Sequence, residues 1–143
     1  MPYTKIWIHL IWSTKHRYPC LIKPTRYLIF KHIRCKSREK GIYINFINGI
    51  EEHIHILLLL KPTQNIADII HEIKGESSNW INKNAILDEC FRWQREYTAL
   101  SVGKSEVKRI RNYIRNQESH HSKQSYEDEI RHLTDGHNDL CEE

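Results

Sequence analysis

The sequence predicts an α+β fold of the ferredoxin-like, split βαβ type: an antiparallel sheet with helices on one face, plus a C-terminal helix. Three observations predict it. Short β-branched or aromatic runs alternate with helix-period segments in the order β-α-β-β-α-β. An Asn48-Gly49 pair stands between two such runs as a hairpin signal. Residues 65–82 repeat isoleucine at three- and four-residue spacing, as a helix packed on a sheet requires. At 143 residues the chain fits one domain, expected over 1–133, with 134–143 as a polar, mobile tail.

Ile6 to Trp12 reads as a buried strand, ended by Ser13-Thr14-Lys15-His16-Arg17. Pro24-Thr25 opens a helix that stops at Gly41, with Tyr27, Leu28, Phe30 and Ile33 inward. Ile42 to Ile47 is a strand. Asn48-Gly49 then predicts a type I′ turn, whose central residues both need positive φ, and Ile50 to Leu60 returns as the hairpin partner before Lys61-Pro62. The clearest helix spans 65–82, with Ile66, Ile69, Ile70, Ile73, Ser77, Trp80 and Ile81 on one face. Residues 91–102 read as extended, with Trp93, Tyr97 and Leu100 as large apolar residues. A second good helix falls within 101–117, and a short third one within 125–133.

Composition removes several function classes. Hydrophobic residues at 39% can build a core, so global disorder is excluded. The longest apolar run, Ile56 to Leu60, is far below the roughly 20 residues a bilayer crossing needs. With no secretory signal pattern at the N-terminus, no membrane partner and a cytoplasmic location are expected. Five glycines and no GxGxxG or GxxxxGK[ST] leave no ordinary nucleotide-phosphate cradle. The four cysteines, at 20, 35, 90 and 141, form no CxxC pair, so reduced thiols are expected and a zinc knuckle is not. A net charge of +4 permits a nucleic-acid partner without demanding one.

Four constellations could carry chemistry. In His53-Ile54-His55 the two histidines project to one face of a strand, where paired imidazoles can ligate a metal. In a chain with ten histidines, such a pair also arises by chance. Tyr113 and Gln117 lie one turn apart on one helix face, at the edge of a stripe formed by Val107, Ile110 and Ile114. Lys104, Lys108, Arg111 and Arg115 cluster beyond that stripe, as on any solvated basic helix. Trp7, Trp12, Lys15, His16, Arg17 and Tyr18 interleave aromatics with cations, which suits single-stranded nucleic acid and also suits a core strand ending in a wet loop. His120 and His121 diverge by 100° on a helix and read as helix-terminal or phosphate contacts.

Together these pieces resemble the small single-tyrosine transposases of bacterial insertion sequences, members of the HUH (His-hydrophobic-His) group. The resemblance runs over nearly the whole chain: His9 to Arg17, Glu52 to Leu57, Ile73 to Ser78, Phe91 to Gln94, Ser101-Val102, and Tyr113-Ile114-Arg115-Asn116-Gln117-Glu118-Ser119-His120-His121. The His pair followed about sixty residues later by this tyrosine segment is specific, where either alone is weak. One departure stands out. Glu96 to Gly103 replaces a glycine-rich segment of the family and lacks both glycines ahead of Ala99.

The resemblance implies that His53, His55 and Gln117 bind one divalent ion per site, Mg²⁺ or Mn²⁺, and that Tyr113 is the nucleophile. Imidazole nitrogens and an amide oxygen would leave coordination positions for phosphate oxygen and water. A free tyrosine has a pKa of about 10, so its attack needs help; Arg109, one turn before Tyr113, is the conjectured source. The resemblance also implies a 5′-phosphotyrosine intermediate, hairpin-bearing single-stranded DNA as partner, and a homodimer whose tyrosine helices complete each other's His pairs. Lys15, Arg17, Lys104, Lys108 and Arg109 are the candidate DNA contacts, because phosphates need exposed cations. Two alternatives stay open: a domesticated nickase acting on repeated hairpins, and a non-catalytic nucleic-acid-binding module that would need neither the His pair nor Tyr113.

Overall fold

A computed structural model of the chain describes residues 2–121 and 124–141. Its four strands are β1 (Ile6–Ser13), β2 (Tyr43–Gly49), β3 (His53–Leu60) and β4 (Thr98–Val102). They form one antiparallel sheet in the order β2-β3-β1-β4. With helices α1 (Thr25–Glu39) and α2 (Ile66–Lys83) as crossovers, this is the split βαβ topology the sequence predicts. Three further helices follow: α3 (Val107–Arg115), α4 (Gln117–His121) and α5 (Tyr126–Cys141).

Alternation along the central strands divides the sheet into two unlike faces. Ile8, Leu10 and Trp12 of β1 join Ile54, Ile56 and Leu58 of β3 in the main core beneath α1 and α2. The odd-numbered residues turn the other way, where Leu57 packs with Val107 and Ile114 of α3. Helices therefore cover both faces, and the one bearing Tyr113 sits opposite the main core.

Most elements fall where the periodicity puts them. In α2 the stripe Ile69, Ile70, Ile73, Ser77 and Ile81 is buried, and the Asn65 side chain caps the helix by accepting from the Asp68 amide at 3.1 Å. Several boundaries move. Tyr27 and Leu28 of α1 are exposed, and Ile29 is buried instead. The inward phase is set by Arg26, Ile29, Phe30, Ile33 and Ser37, and Tyr27 and Leu28 lie off it.

The predicted Asn48-Gly49 turn is displaced. Both residues belong to β2, paired with His55 and Ile54, and the reversal occurs at Ile50-Glu51-Glu52. Gly49 serves close approach: a Cβ there would lie 2.3 Å from the His53 carbonyl oxygen. The extended stretch shrinks to Thr98–Val102, while Trp93 pairs with Thr14 as an isolated bridge. The helix expected within 101–117 breaks at Asn116, and the one expected over 125–133 continues to Cys141, past the boundary drawn at 134. Cys20, Cys35 and Cys90 are free thiols.

Candidate active site

The site is built on the odd face of the two central strands. His53 and His55 project together, as alternation requires, and both are fully buried. Helix α5 brings a carboxylate to them: Glu129 Oε2 lies 3.3 Å from His53 Nε2, and Glu129 Oε1 lies 2.9 Å from His55 Nε2. These three side chains can each offer a ligand atom, all within 4.8 Å of one another. Tyr126, one turn earlier on α5, packs its ring 4.7 Å from that of His53.

Tyr113 and Gln117 arrive from the opposite side. Although the helix breaks at Asn116, the two stay neighbours, and both turn to the same carboxylate. The Tyr113 hydroxyl donates a short hydrogen bond to Glu129 Oε1, and Gln117 Nε2 donates to the same oxygen at 3.1 Å. The Tyr113 ring centre lies 5.8 Å from that of His55. Asn48 fixes the end of α3 by donating its side-chain amide to the carbonyls of Ile114 and Arg115, at 3.0 and 3.1 Å. Two cations secure the same helix: Arg111 donates to Asn45, and Arg115 lies over the Phe46 ring.

The electrostatics follow from burial. Desolvation, then the Glu129 hydrogen bond and charge, push the Tyr113 phenol well above its ordinary value, so it is protonated at rest. Burial and the charge of Glu129 raise Tyr126 to about 12. His9 of β1 is also buried here, its Nε2 2.8 Å from His55 Nδ1, and burial, then the neighbouring His55, lower it to about 3.

A divalent cation fits this set. Gln117 Oε1 is buried with no hydrogen-bond partner among the described residues, and an oxygen left in that state is what a cation would take up. Two imidazoles, a carboxylate and a carboxamide form a mixed nitrogen–oxygen donor set of the kind that holds a divalent cation.

The remaining sequence candidates lie outside this cluster. Lys15 and Arg17 stand exposed in the turn after β1, where Arg17 pairs with Glu127 of α5 at 3.1 Å. Lys104 and Lys108 are exposed around the start of α3. Arg109 pairs with Glu106, the residue just before its helix, whereas the phenol's partner is Glu129, so the geometry gives no support to an Arg109 role at the phenolate. The side chains of His120 and His121 lie outside the described residues. Sequence reasoning missed two site residues. Strand parity could have found His9, which shares the face of His53 and His55; Glu129 carried no signal among the adjacent acids Glu127 and Asp128.

Once these positions are compared with known proteins, the family emerges. Residues 2–117 match the family model described as "Transposase IS200 like". The chain is 26% identical to the ISDra2 transposase TnpA of Deinococcus radiodurans over 121 residues, covering 81% of this chain and 84% of that one. A crystal structure described as a transposase from Deinococcus radiodurans R1 superposes with a TM-score of 0.66 at 25% identity, covering 81% of this chain and 93% of the other. A REP-associated tyrosine transposase bound to a REP hairpin shares the fold, with a TM-score of 0.63 at 18% identity, covering 85% and 72% of the respective chains. Among the described residues, no helix is long and apolar enough to cross a membrane.

Proposed function

Because the chain belongs to the IS200-like transposase family, we propose that it is a metal-dependent strand transferase that cuts and rejoins single-stranded DNA through Tyr113. The observation that carries this reading is the meeting of the Tyr113 hydroxyl and the His53–His55 pair on one carboxylate, Glu129. A nucleophile and a cation site side by side are what phosphodiester transfer needs.

His53, His55 and Gln117 would hold the cation, with Glu129 as a further oxygen donor. When bound, the cation polarises the scissile phosphate and offsets charge that develops during transfer. The chain's own groups do the rest. Asn48, through the carbonyls of Ile114 and Arg115, holds the Tyr113 helix against β2. The phenol is protonated at rest, so its proton must leave as the new P–O bond forms. Glu129 Oε1 is the acceptor within hydrogen-bond reach. Attack breaks the phosphorus–3′-oxygen bond, and the departing oxygen takes a proton from solvent, giving a 5′-phosphotyrosine and a free 3′-hydroxyl. The phosphodiester energy stays in the covalent link, so rejoining needs no ATP, in keeping with a chain that lacks a nucleotide cradle.

The substrate class we assign is single-stranded DNA carrying hairpins, for which the hairpin-bound structural neighbour is the support by analogy. We assign the exposed Lys15, Arg17, Lys104 and Lys108 as contacts to its phosphates. In this reading one subunit holds a complete site, in place of the shared site the resemblance implies, and a homodimer would join two such sites. The test uses a hairpin from the flanking DNA, with Mn²⁺ or Mg²⁺, read on a denaturing gel. A protein–DNA adduct that disappears in Tyr113→Phe is expected; binding without an adduct under either metal would leave only a nucleic-acid-binding module.

A further inference from the structure

We infer that His9 is a positioning residue for the cation site: its Nε2 accepts the Nδ1–H of His55 and so turns the Nε2 lone pair of His55 toward the metal. The inference rests on the metal-dependent reading above.

His9 lies on β1, on the same sheet face as His53 and His55, and is 1% exposed. Its Nε2 is 2.8 Å from His55 Nδ1, and the two rings stack with centres 5.1 Å apart and planes 29° from parallel. A hydrogen must lie between two nitrogens at that distance. Only two arrangements of neutral imidazoles satisfy this. If His9 Nε2 carries the hydrogen, the proton of His55 sits on its Nε2, facing Glu129 at 2.9 Å, and that nitrogen cannot ligate a cation. If His55 Nδ1 carries it, the His55 Nε2 lone pair points at the cation site and His9 keeps its own proton on Nδ1. Only the second arrangement serves a metal centre. A ligand histidine whose other nitrogen is hydrogen-bonded is held in both tautomer and ring orientation.

A side chain that merely filled space here would need no nitrogen, because Leu57 and the Tyr113 ring provide apolar contacts on this face. Methionine would fill the volume without accepting a hydrogen bond, whereas glutamine places an acceptor oxygen near the same spot. Mn²⁺ affinity is read from the electron paramagnetic resonance signal of the unbound ion, alongside thermal unfolding of each variant. His9→Met is expected to weaken Mn²⁺ binding by about 10–100-fold, and His9→Gln to recover most of that loss. A folded His9→Met protein that binds Mn²⁺ as tightly as the parent overturns the proposal, as does a His9→Gln protein no tighter than His9→Met.

Should both variants unfold, nitrogen-15 long-range correlation spectra of the unsubstituted, Mg²⁺-loaded protein decide. Protonation of His55 at Nδ1 is expected, and protonation at Nε2 refutes the proposal. A parent that binds Mn²⁺ yet forms no Tyr113 adduct removes strand transfer and leaves the role of His9 standing. A parent that binds neither ion overturns both.

Discussion

Gly49→Ala tests how the hairpin positions the site. A Cβ at Gly49 would lie 2.3 Å from the His53 carbonyl oxygen, 3.0 Å from Ile54 Cα and 3.2 Å from the His53 carbonyl carbon. All three are backbone atoms, so no side-chain rotation relieves the clash. Carbon and oxygen normally settle about 3.3 Å apart, so β2 and β3 must separate by roughly 1 Å at this point. Overpacking of this kind costs about 1–3 kcal/mol. At about 2–4 °C per kcal/mol for a chain of this size, the melting temperature should fall by about 2–12 °C. The displaced peptide is that of His53, so Mn²⁺ binding should weaken as well, and an error of about 1 Å can cost on the order of 100-fold in rate. Gly75→Ala is the matched control. It sits within α2 with nothing inside 4 Å of a new Cβ, so alanine should add about 0.5–1 kcal/mol by lowering the freedom of the unfolded chain. Calorimetry with a Mn²⁺ titration measures both. A Gly49→Ala protein that melts and binds Mn²⁺ like the parent, or a Gly75→Ala protein equally damaged, would refute the reasoning.

Three further outcomes are expected. If the tyrosine and the His pair of one subunit work together, as proposed, mixing His53→Ala with Tyr113→Phe should restore no adduct on a denaturing gel; an adduct in the mixture would require exchange of the tyrosine helix. Glu129→Gln keeps the shape but loses the proton acceptor, so adduct formation should slow by about 10²–10⁴-fold at saturating Mn²⁺, and a near-parental rate removes Glu129 from proton transfer. Glu118 accepts hydrogen bonds from Tyr27, Lys23 and the buried Arg26, which hold its carboxyl down to about 2. Its folded value lies below the ordinary 4.5, so its contribution is complete above pH 4.5 and is lost as pH falls toward 2. Glu118→Gln should therefore cost about 0.5–1 kcal/mol at pH 7, reduced by solvent screening. That difference should shrink in urea melts at pH 3; a gap independent of pH rejects the assignment.

What was legible in the sequence was local in origin. His53 and His55 share a face because a strand alternates, whatever surrounds it, and Tyr113 and Gln117 stay neighbours because their spacing survives even a helix break at Asn116. The hairpin turn was not legible, because tertiary contacts outweigh the local Asn-Gly preference. The carbonyls of Glu51 and Glu52 accept the amides of Leu21 and Thr14, at 2.9 and 2.8 Å, which anchors the reversal two residues further on. Glu129 was not legible either. It is one of three consecutive acids in the first turn of α5, and only the docking of that helix decides which one turns inward. The family match, which ends at residue 117, stops short of it.

The contrast between the two sheet faces also determines which substitutions can be informative. On the even face, aliphatic and aromatic side chains form a continuous core, where a truncation costs transfer energy plus a cavity and says little about chemistry. On the odd face, His9, His53, His55, Gln117 and Glu129 are all nearly inaccessible, and their polar atoms largely satisfy one another. Deleting any one of them strands the others, at a cost of about 1–3 kcal/mol per unsatisfied group. An alanine variant there loses stability, metal affinity and activity together, and cannot apportion the loss. Substitutions that keep volume and change one atom's role separate these effects: Tyr113→Phe removes a single oxygen, Glu129→Gln a charge, and His9→Gln exchanges one acceptor for another. For this face, only such conservative changes can divide holding the cation from moving the phenol proton.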